Sequence, residues 1–303
     1  MKYQKQALFI YDEQSIDFIA TLKNNDFGTE IIAVEKAHFL SEPLEYIAIT
    51  SHLILAGDIQ LIDELVQYAY SHSANGQHCT LGFLPLESQK ILRNAYQLSK
   101  HLEDNIEVAL RDETQAINLL TCNDQLVQFK VVVGQIPLLE AWHSDLSPGA
   151  LIKNVILGIK QFFQLSLEKV SIETQRGRQI KTLASALFVV NQNQSSRLTR
   201  VLLQKSSMRS EQLSLMIISP YSAVEYFLFL FSLIFHFNKE TVLPHAVSNI
   251  KSEEITIDMD SASKEMFKVK LDENKTTMFP LHFRVIKKAL KINAPEAFWQ
   301  LNP

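Results

Sequence analysis

Glycine is scarce in this sequence, with eight in 303 residues, about a third of the usual share of roughly 7%. Loops that wrap closely around phosphate depend on it, because glycine alone reaches positive φ without strain and puts no Cβ between backbone N–H groups and the anion. Few such loops are therefore expected. Cysteine is scarcer still, Cys79 and Cys122 only and in no CxxC spacing, so disulfides are not expected and a reducing, cytoplasmic setting is. Neither charge is in large excess, 29 Lys and Arg against 33 Asp and Glu for a net charge of −4, which argues against a nucleic-acid partner. Long apolar runs are missing too. The Phe-rich stretch 224–237, bounded by Pro220 and by Lys239 and Glu240, is shorter than the roughly 20 residues a bilayer span requires. The run 7–11 is too short for a signal-peptide core and suits a first strand. Nine histidines show no metal-ligand spacing, and Ser88, between Glu87 and Gln89, lacks the Gly-x-Ser-x-Gly elbow of a serine hydrolase.

What is present is enough apolar sequence, 47%, to build the cores of two ordinary domains. Residues 7–11, 15–23, 30–34, 46–55, 61–70, 80–84 and 91–110 alternate strand-like runs with helical patterns, which predicts a parallel sheet flanked by helices. Leu61, Ile62, Leu65, Val66 and Ala69 fall at helical spacing and give that segment one face to pack on the sheet. Beyond Arg111 the texture turns to strands joined by turn residues: 115–121, a turn at Asn123 and Asp124, 126–133, 170–173, a hairpin tip at Arg176, Gly177 and Arg178, and 182–190. Further strands are expected at 212–218, 255–259, 267–271 and 282–285, and helices at 150–163 and 222–237, the latter read as buried between sheets or as presenting an outer face to lipid. The predicted architecture is α/β plus β. An N-terminal α/β nucleotide-kinase-like domain over residues 1–111 precedes a β-sandwich domain over 112–303, with the last residues returning to the first domain.

The stretch 53–60, Leu-Ile-Leu-Ala-Gly-Asp-Ile-Gln, breaks an apolar strand at Gly57 and Asp58 and runs into a helix; Pro85 and Leu86 close the next strand. Read with the rest of the chain, these segments resemble the diacylglycerol kinase and sphingosine kinase catalytic family, including its bacterial soluble lipid kinases. The resemblance extends over nearly the whole chain. In that family a Gly-Gly-Asp-Gly-Thr loop and a Pro-Leu-Gly-Thr-Gly-Asn-Asp segment serve ATP held between two domains; here the matching residues are Ala56 to Gln60 and Pro85 to Lys90. Residues 187–191 resemble a strand that precedes a Gly-rich turn, but 192–196 contain no glycine. Val269 to Asn274 matches a strand ending in Asp-Gly-Glu.

The departures bear directly on chemistry. Ile59 stands where the cradle requires a residue free of Cβ strain, and a β-branched residue at positive φ is a genuine outlier; the loop is expected to take another shape. Glu87 would set a carboxylate against the anionic ligand, at about 4 Å and an effective dielectric near 20 a repulsion on the order of 4 kcal/mol. Asn274 replaces a carboxylate near the reacting hydroxyl, and a carboxamide cannot act as general base.

The resemblance leaves Gly57, Asp58, Pro85 and Ser88 as a nucleotide-binding remnant. If the chain is active, it makes Asp58, Asp272 and Glu273 the catalytic carboxylates, with Asp58 the metal ligand. Asp58 reads equally as the N-cap of the helix that follows. Arg197, Arg200, Lys205 and Arg209 gather four cations without an acid until Glu211, a solvated face or a contact for anionic lipid headgroups. The preferred expectation is a degenerate lipid-kinase-like protein with a binding or regulatory role, needing no cofactor and meeting a lipid, an anionic membrane surface or a protein partner. The alternative is an ATP- and Mg-dependent lipid kinase.

Overall fold

A computed structural model describes residues 6–24, 29–41, 52–73, 80–86, 89–111, 113–134, 160, 166–190, 210–228, 246–260, 263–264, 267–272 and 275–301. The chain divides into two compact units, Met1–Asn118 with Lys287–Pro303, and Leu119–Ile286. The sequence reading puts its boundary seven residues earlier, at Arg111, where strand-like texture begins; the first of those strands opens inside the first unit.

In the first unit, β1 (Gln6–Tyr11), β2 (Glu30–Glu35), β3 (His52–Gly57) and β4 (Thr80–Pro85) form a parallel sheet in the order β2-β1-β3-β4. Every residue of β3 and β4 is buried, as expected of strands covered on both faces, which read as continuous apolar runs rather than alternating ones. Ala7, Phe9, Ile54, Ala56 and Leu84 pack with α1 (Phe18–Asn24) and with Ile106 and Ala109 of α5 (Leu102–Ala109). Leu8, Ile10, Leu53 and Leu55, the alternate positions, are fully buried on the opposite face. There α2 (Lys36–Ser41) lies along β1 and β2, and α3 (Ile59–Ser73) along β3 and β4. The helical spacing read from Leu61 to Ala69 is this buried stripe.

Gly82 earns its place by close approach. A Cβ there would collide with the Cβ of Ala109 and lie 2.9 Å from its Cα, backbone that cannot swing aside. The pattern over residues 91–110 is two helices, α4 (Lys90–Tyr96) and α5, because Gln97 turns left-handed at φ 54. The Asn105 side chain then holds the intervening turn, accepting from Ser99 N at 2.9 Å and donating to Ser99 O at 3.1 Å.

The second unit is antiparallel and has one core between two sheets. One sheet runs β12 (Val247–Ser252), β11 (Leu213–Ile218), β10 (Ala186–Val190), β7 (Lys130–Gly134), β14 (Val269–Leu271), β15 (Lys275–Thr276). The other pairs β16 (Leu281–Ile292), β13 (Glu254–Met259), β8 (Glu168–Thr174) and β9 (Gln179–Ala184), with β5 (Gln115–Cys122) against β16 and β6 (Gln125–Val127). Leu187, Val189, Leu215, Val131 and Val133 from the first meet Ile172, Ile255, Ile257, Leu281 and Phe283 from the second, the alternating inner positions of a sandwich. Asn123 and Asp124, both at positive φ, make the expected turn, and Gly177 at φ 71 makes the hairpin tip. Two runs expected to be single strands are broken, 126–133 at Gln128 and Phe129 and 182–190 at Ser185. Both Ser185 N and Ser185 Oγ donate to Ile218 O, at 2.9 and 3.0 Å. The sequence does not announce β12, since Val247 and Ile250 are its only strongly apolar residues. The expected helix at 150–163, Lys160 apart, and the helix 222–237 past residue 228 lie outside the described residues, as do Arg197, Arg200, Lys205, Arg209, Glu87, Ser88, Glu273 and Asn274.

From Lys287 onward β16 belongs to the first unit, where Lys291 and Ile292 pair in parallel with Thr80 and Leu81. Asn293 fastens this return: its N donates to Leu81 O, and its Nδ2 to Ala109 O and Arg111 O at 2.7 and 2.8 Å. The closing helix, α6 (Glu296–Leu301), stacks Phe298 on Tyr96.

Candidate functional site

In a parallel sheet ordered β2-β1-β3-β4 the winding reverses between β1 and β3, and ligands of such sheets settle outside the carboxyl ends of the strands at that reversal. Two junctions meet there. In the first, β3 ends at Gly57 and α3 begins at Ile59, so a single residue, Asp58, separates strand from helix. The half-buried Asp58 side chain turns back onto that helix: Oδ1 accepts from Leu61 N at 2.8 Å, and Asp58 O accepts from Ile62 N at 3.1 Å. This is N-cap geometry, satisfying one of the helix's unpaired donors. Asp58 Oδ2 has no partner among the described residues. Gly57 sits at φ 157, a backbone that L side chains rarely adopt, and a Cβ there would meet the Leu61 side chain. Ile59 is the first residue of the helix, outside the positive-φ region that a β-branched residue avoids.

In the second junction, β1 runs into a short 3-10 turn, Glu13–Ser15. Asp12 Oδ1 accepts from Ser15 N at 3.0 Å while Ser15 Oγ accepts from Asp12 N at 3.0 Å, a reciprocal cap. Ser15 is fully buried, and its hydroxyl also lies 2.9 Å from Ala56 O, one residue before Gly57. The turn after β1 is thus fastened to the end of β3. The spacing Asp-x-x-Ser directly after an apolar strand is the signal that could have revealed this from sequence. On the far side, Leu86 N donates to Gly57 O at 3.2 Å and Pro85 pairs with Gly57.

In the second unit, Asp272 is held at φ 49 just after β14. Its carboxylate takes three consecutive backbone donors from the turn between β6 and β7: Gln128 N to Oδ2 at 2.9 Å, and Phe129 N and Lys130 N to Oδ1 at 2.8 and 2.9 Å. Asp272 N returns a bond to Lys130 O at 2.8 Å. Successive N–H groups converging this way form an anion-binding nest, and here the anion is the protein's own side chain. The described part of the site thus places Asp58 and Asp272 in separate units, each bonded to nearby backbone. Among the described residues no group of three His, Cys, Asp or Glu is placed to hold a metal ion. Cys122 is buried in the sandwich core, and that burial pushes its thiol up to about 12, so it is unreactive.

A crystal structure of a diacylglycerol kinase from Bacillus anthracis str. Sterne superposes on this chain with a TM-score of 0.68 at 12% identity, covering 98% of this chain and 99% of that one. The chain has the diacylglycerol kinase fold. A second structure from the same organism gives a TM-score of 0.69 with the same coverage, and an NAD kinase from Archaeoglobus fulgidus, solved in complex with ATP, gives 0.51 at 11% identity over 98% of this chain and 96% of that one. No protein-family profile matches the sequence, and a search of curated proteins finds no match. The diacylglycerol kinase fold therefore stands on backbone shape. Among the described residues no helix is long and apolar enough to cross a membrane.

Proposed function

We propose that this protein keeps the lipid-kinase fold without phosphoryl transfer and acts by binding. The observation that carries the reading is the one-residue junction at Asp58. A phosphate approaching the end of β3 would need the N–H groups at the start of α3, and Asp58 already bonds to one of them with a carboxylate. Asp12 adds a second carboxylate at the same strand ends. At about 4 Å and an effective dielectric near 20, each such charge opposes an anion by on the order of 4 kcal/mol, roughly a thousandfold in affinity. The residues present therefore fit a triphosphate and its magnesium ion poorly. Ile59, Glu87 and Asn274 point the same way from the sequence. The partner expected is a lipid or an anionic membrane surface, with Arg197, Arg200, Lys205 and Arg209 supplying cations, or a protein.

A second reading, an ATP- and Mg-dependent lipid kinase using Asp58, Asp272 and Glu273, draws support from Asp58 Oδ2, which has no partner among the described residues. Thermal unfolding with and without ATP and Mg²⁺ separates the two. A ligand at 100 times its dissociation constant stabilises by about 2.7 kcal/mol. No rise in Tm is expected; a rise that disappears in Asp58→Asn, which preserves the cap, would establish the kinase reading instead.

A further inference from the structure

The outer face of β8, β9 and the end of β13 carries a cavity of about 820 Å³, within the range of small-molecule sites. Its wall includes Lys169, Ser171, Lys181 and Tyr221. The strand register sets these side by side, since Ser171 pairs with Lys181 across β9 and with Asp258 across β13. Lys169 and Lys181 are exposed, and neither has an ion-pair partner among the described residues. Of the two acids on the same wall, Asp258 is paired with Lys264 at 2.8 Å; Asp260 is the remaining carboxylate. Two ammonium groups beside a hydroxyl suit a phosphate ester.

A second, independent observation lies on the rim. Ser222 Oγ accepts from Glu225 N at 3.2 Å and Glu225 Oε2 accepts from Tyr221 N at 2.9 Å, which starts the helical residues 223–228 and fixes Tyr221 at their base. Tyr226 turns inward and is buried. Val224, Phe227 and Leu228, at spacing i, i+3 and i+4, form the outward face and are 67, 38 and 60% exposed, with Tyr221 at 65%. Apolar side chains grouped on one exposed helical face mark an interaction surface. Tyr221 belongs both to this face and to the cavity wall.

The geometry points to a docking surface for a lipid bilayer with anionic phosphate headgroups: Lys169 and Lys181 meet a headgroup phosphate, and Val224, Phe227 and Leu228 enter the acyl boundary. An apolar face immersed next to snorkelling cations is the arrangement of interfacial helices. This site extends the binding role proposed above to a different surface. It is separate from the nucleotide question, so a rise in Tm with ATP would overturn that reading and leave this one standing.

The test is co-sedimentation of the full chain with phosphatidylcholine vesicles, with and without phosphatidylglycerol. Binding is expected only with phosphatidylglycerol, and weaker by about tenfold or more in Lys169→Glu/Lys181→Glu and in Val224→Asp/Leu228→Asp. Circular dichroism melts confirm that the variants fold. Should a double variant fail to fold, Lys181→Gln alone is expected to weaken binding about fivefold, one charge near an anionic surface. Equal binding to both vesicle types overturns the proposal, as does no binding to either. So does binding that survives both double variants and is lost only in Arg197→Glu/Arg200→Glu. Saturation by soluble glycerol phosphate without vesicle binding shows a site for the free ester and also sinks the membrane docking surface.

Discussion

Asp58 in the first unit and Asp272 in the second are the two described carboxylates that the family resemblance reserves for chemistry, and both bond to backbone N–H groups close by. They differ in how completely. Asp58 offers one oxygen to one donor at a helix end, whereas Asp272 gives both oxygens to three consecutive donors and is itself held by Lys130 O. A carboxylate with its lone pairs engaged and its backbone pinned is a fastening; one with a spare oxygen at a strand end keeps the reach of a ligand. The difference ties Asp272 to the sandwich turn by three bonds and Asp58 to its helix end by one.

Breaking the stronger fastening should cost most. Asp272→Ala strands the N–H groups of Gln128, Phe129 and Lys130, all three residues being nearly inaccessible to solvent, and each buried donor without a partner costs about 1–3 kcal/mol. A loss on the order of 3–5 kcal/mol in urea unfolding is expected. Asp272→Asn should lose less, because it keeps one carbonyl acceptor and tolerates positive φ, though its NH₂ faces a donor. A drop below about 1 kcal/mol in the alanine variant would mean that the turn holds without its anion, and the contrast with Asp58 would vanish.

The parallel sheet and the sandwich were legible because burial writes itself into sequence. β3 and β4, covered on both sides, read as unbroken apolar runs, and the α3 stripe reads at helical spacing. What escaped were features decided by one hydrogen bond. Gln97 ends α4 by entering the left-handed region, which Ile91 to Leu110 does not announce. Gln128 and Phe129 leave the strand because Asp272, 144 and 143 residues away in sequence, draws their N–H groups. Ser185 breaks the next run through Ile218 O. At the candidate site the sequence sets a β-branched Ile59 where a phosphate cradle calls for a left-handed residue, and the helix starts at Ile59. It left open whether Asp58 caps or ligates, since the same carboxylate suits either; the 2.8 Å bond from Leu61 N gives Oδ1 to the cap and does not involve Oδ2.

The weaker fastening gives the middle effect. Asp58→Ala removes an N-cap and should destabilise by about 1 kcal/mol, while Asp58→Ser and Asp58→Asn, both able to cap, should stay within a few tenths of the wild type. Equilibrium unfolding of the three variants measures this. If all three lose equally, the carboxylate's charge matters beyond capping, which would favour a bound cation at Oδ2 and narrow the contrast with Asp272 from the functional side.

A third carboxylate extends the series to its exposed limit. Asp258 is half exposed and bonded to the Lys264 ammonium at 2.8 Å, which holds its carboxyl below the usual range, with the Met259 N–H adding to this and partial burial opposing it. Because the folded-state value is lowered, the stabilisation is present above the ordinary carboxylate value and disappears as pH falls through the folded one, so the window lies below about pH 4. Solvent screens this pair, and Lys264→Met should cost under about 1 kcal/mol at pH 7. Melting curves of wild type and Lys264→Met should therefore converge as the pH drops through that window. A gap that persists there would come from the packing of the Lys264 stem rather than its charge, and Asp258 would leave the series of carboxylates ranked by what binds them.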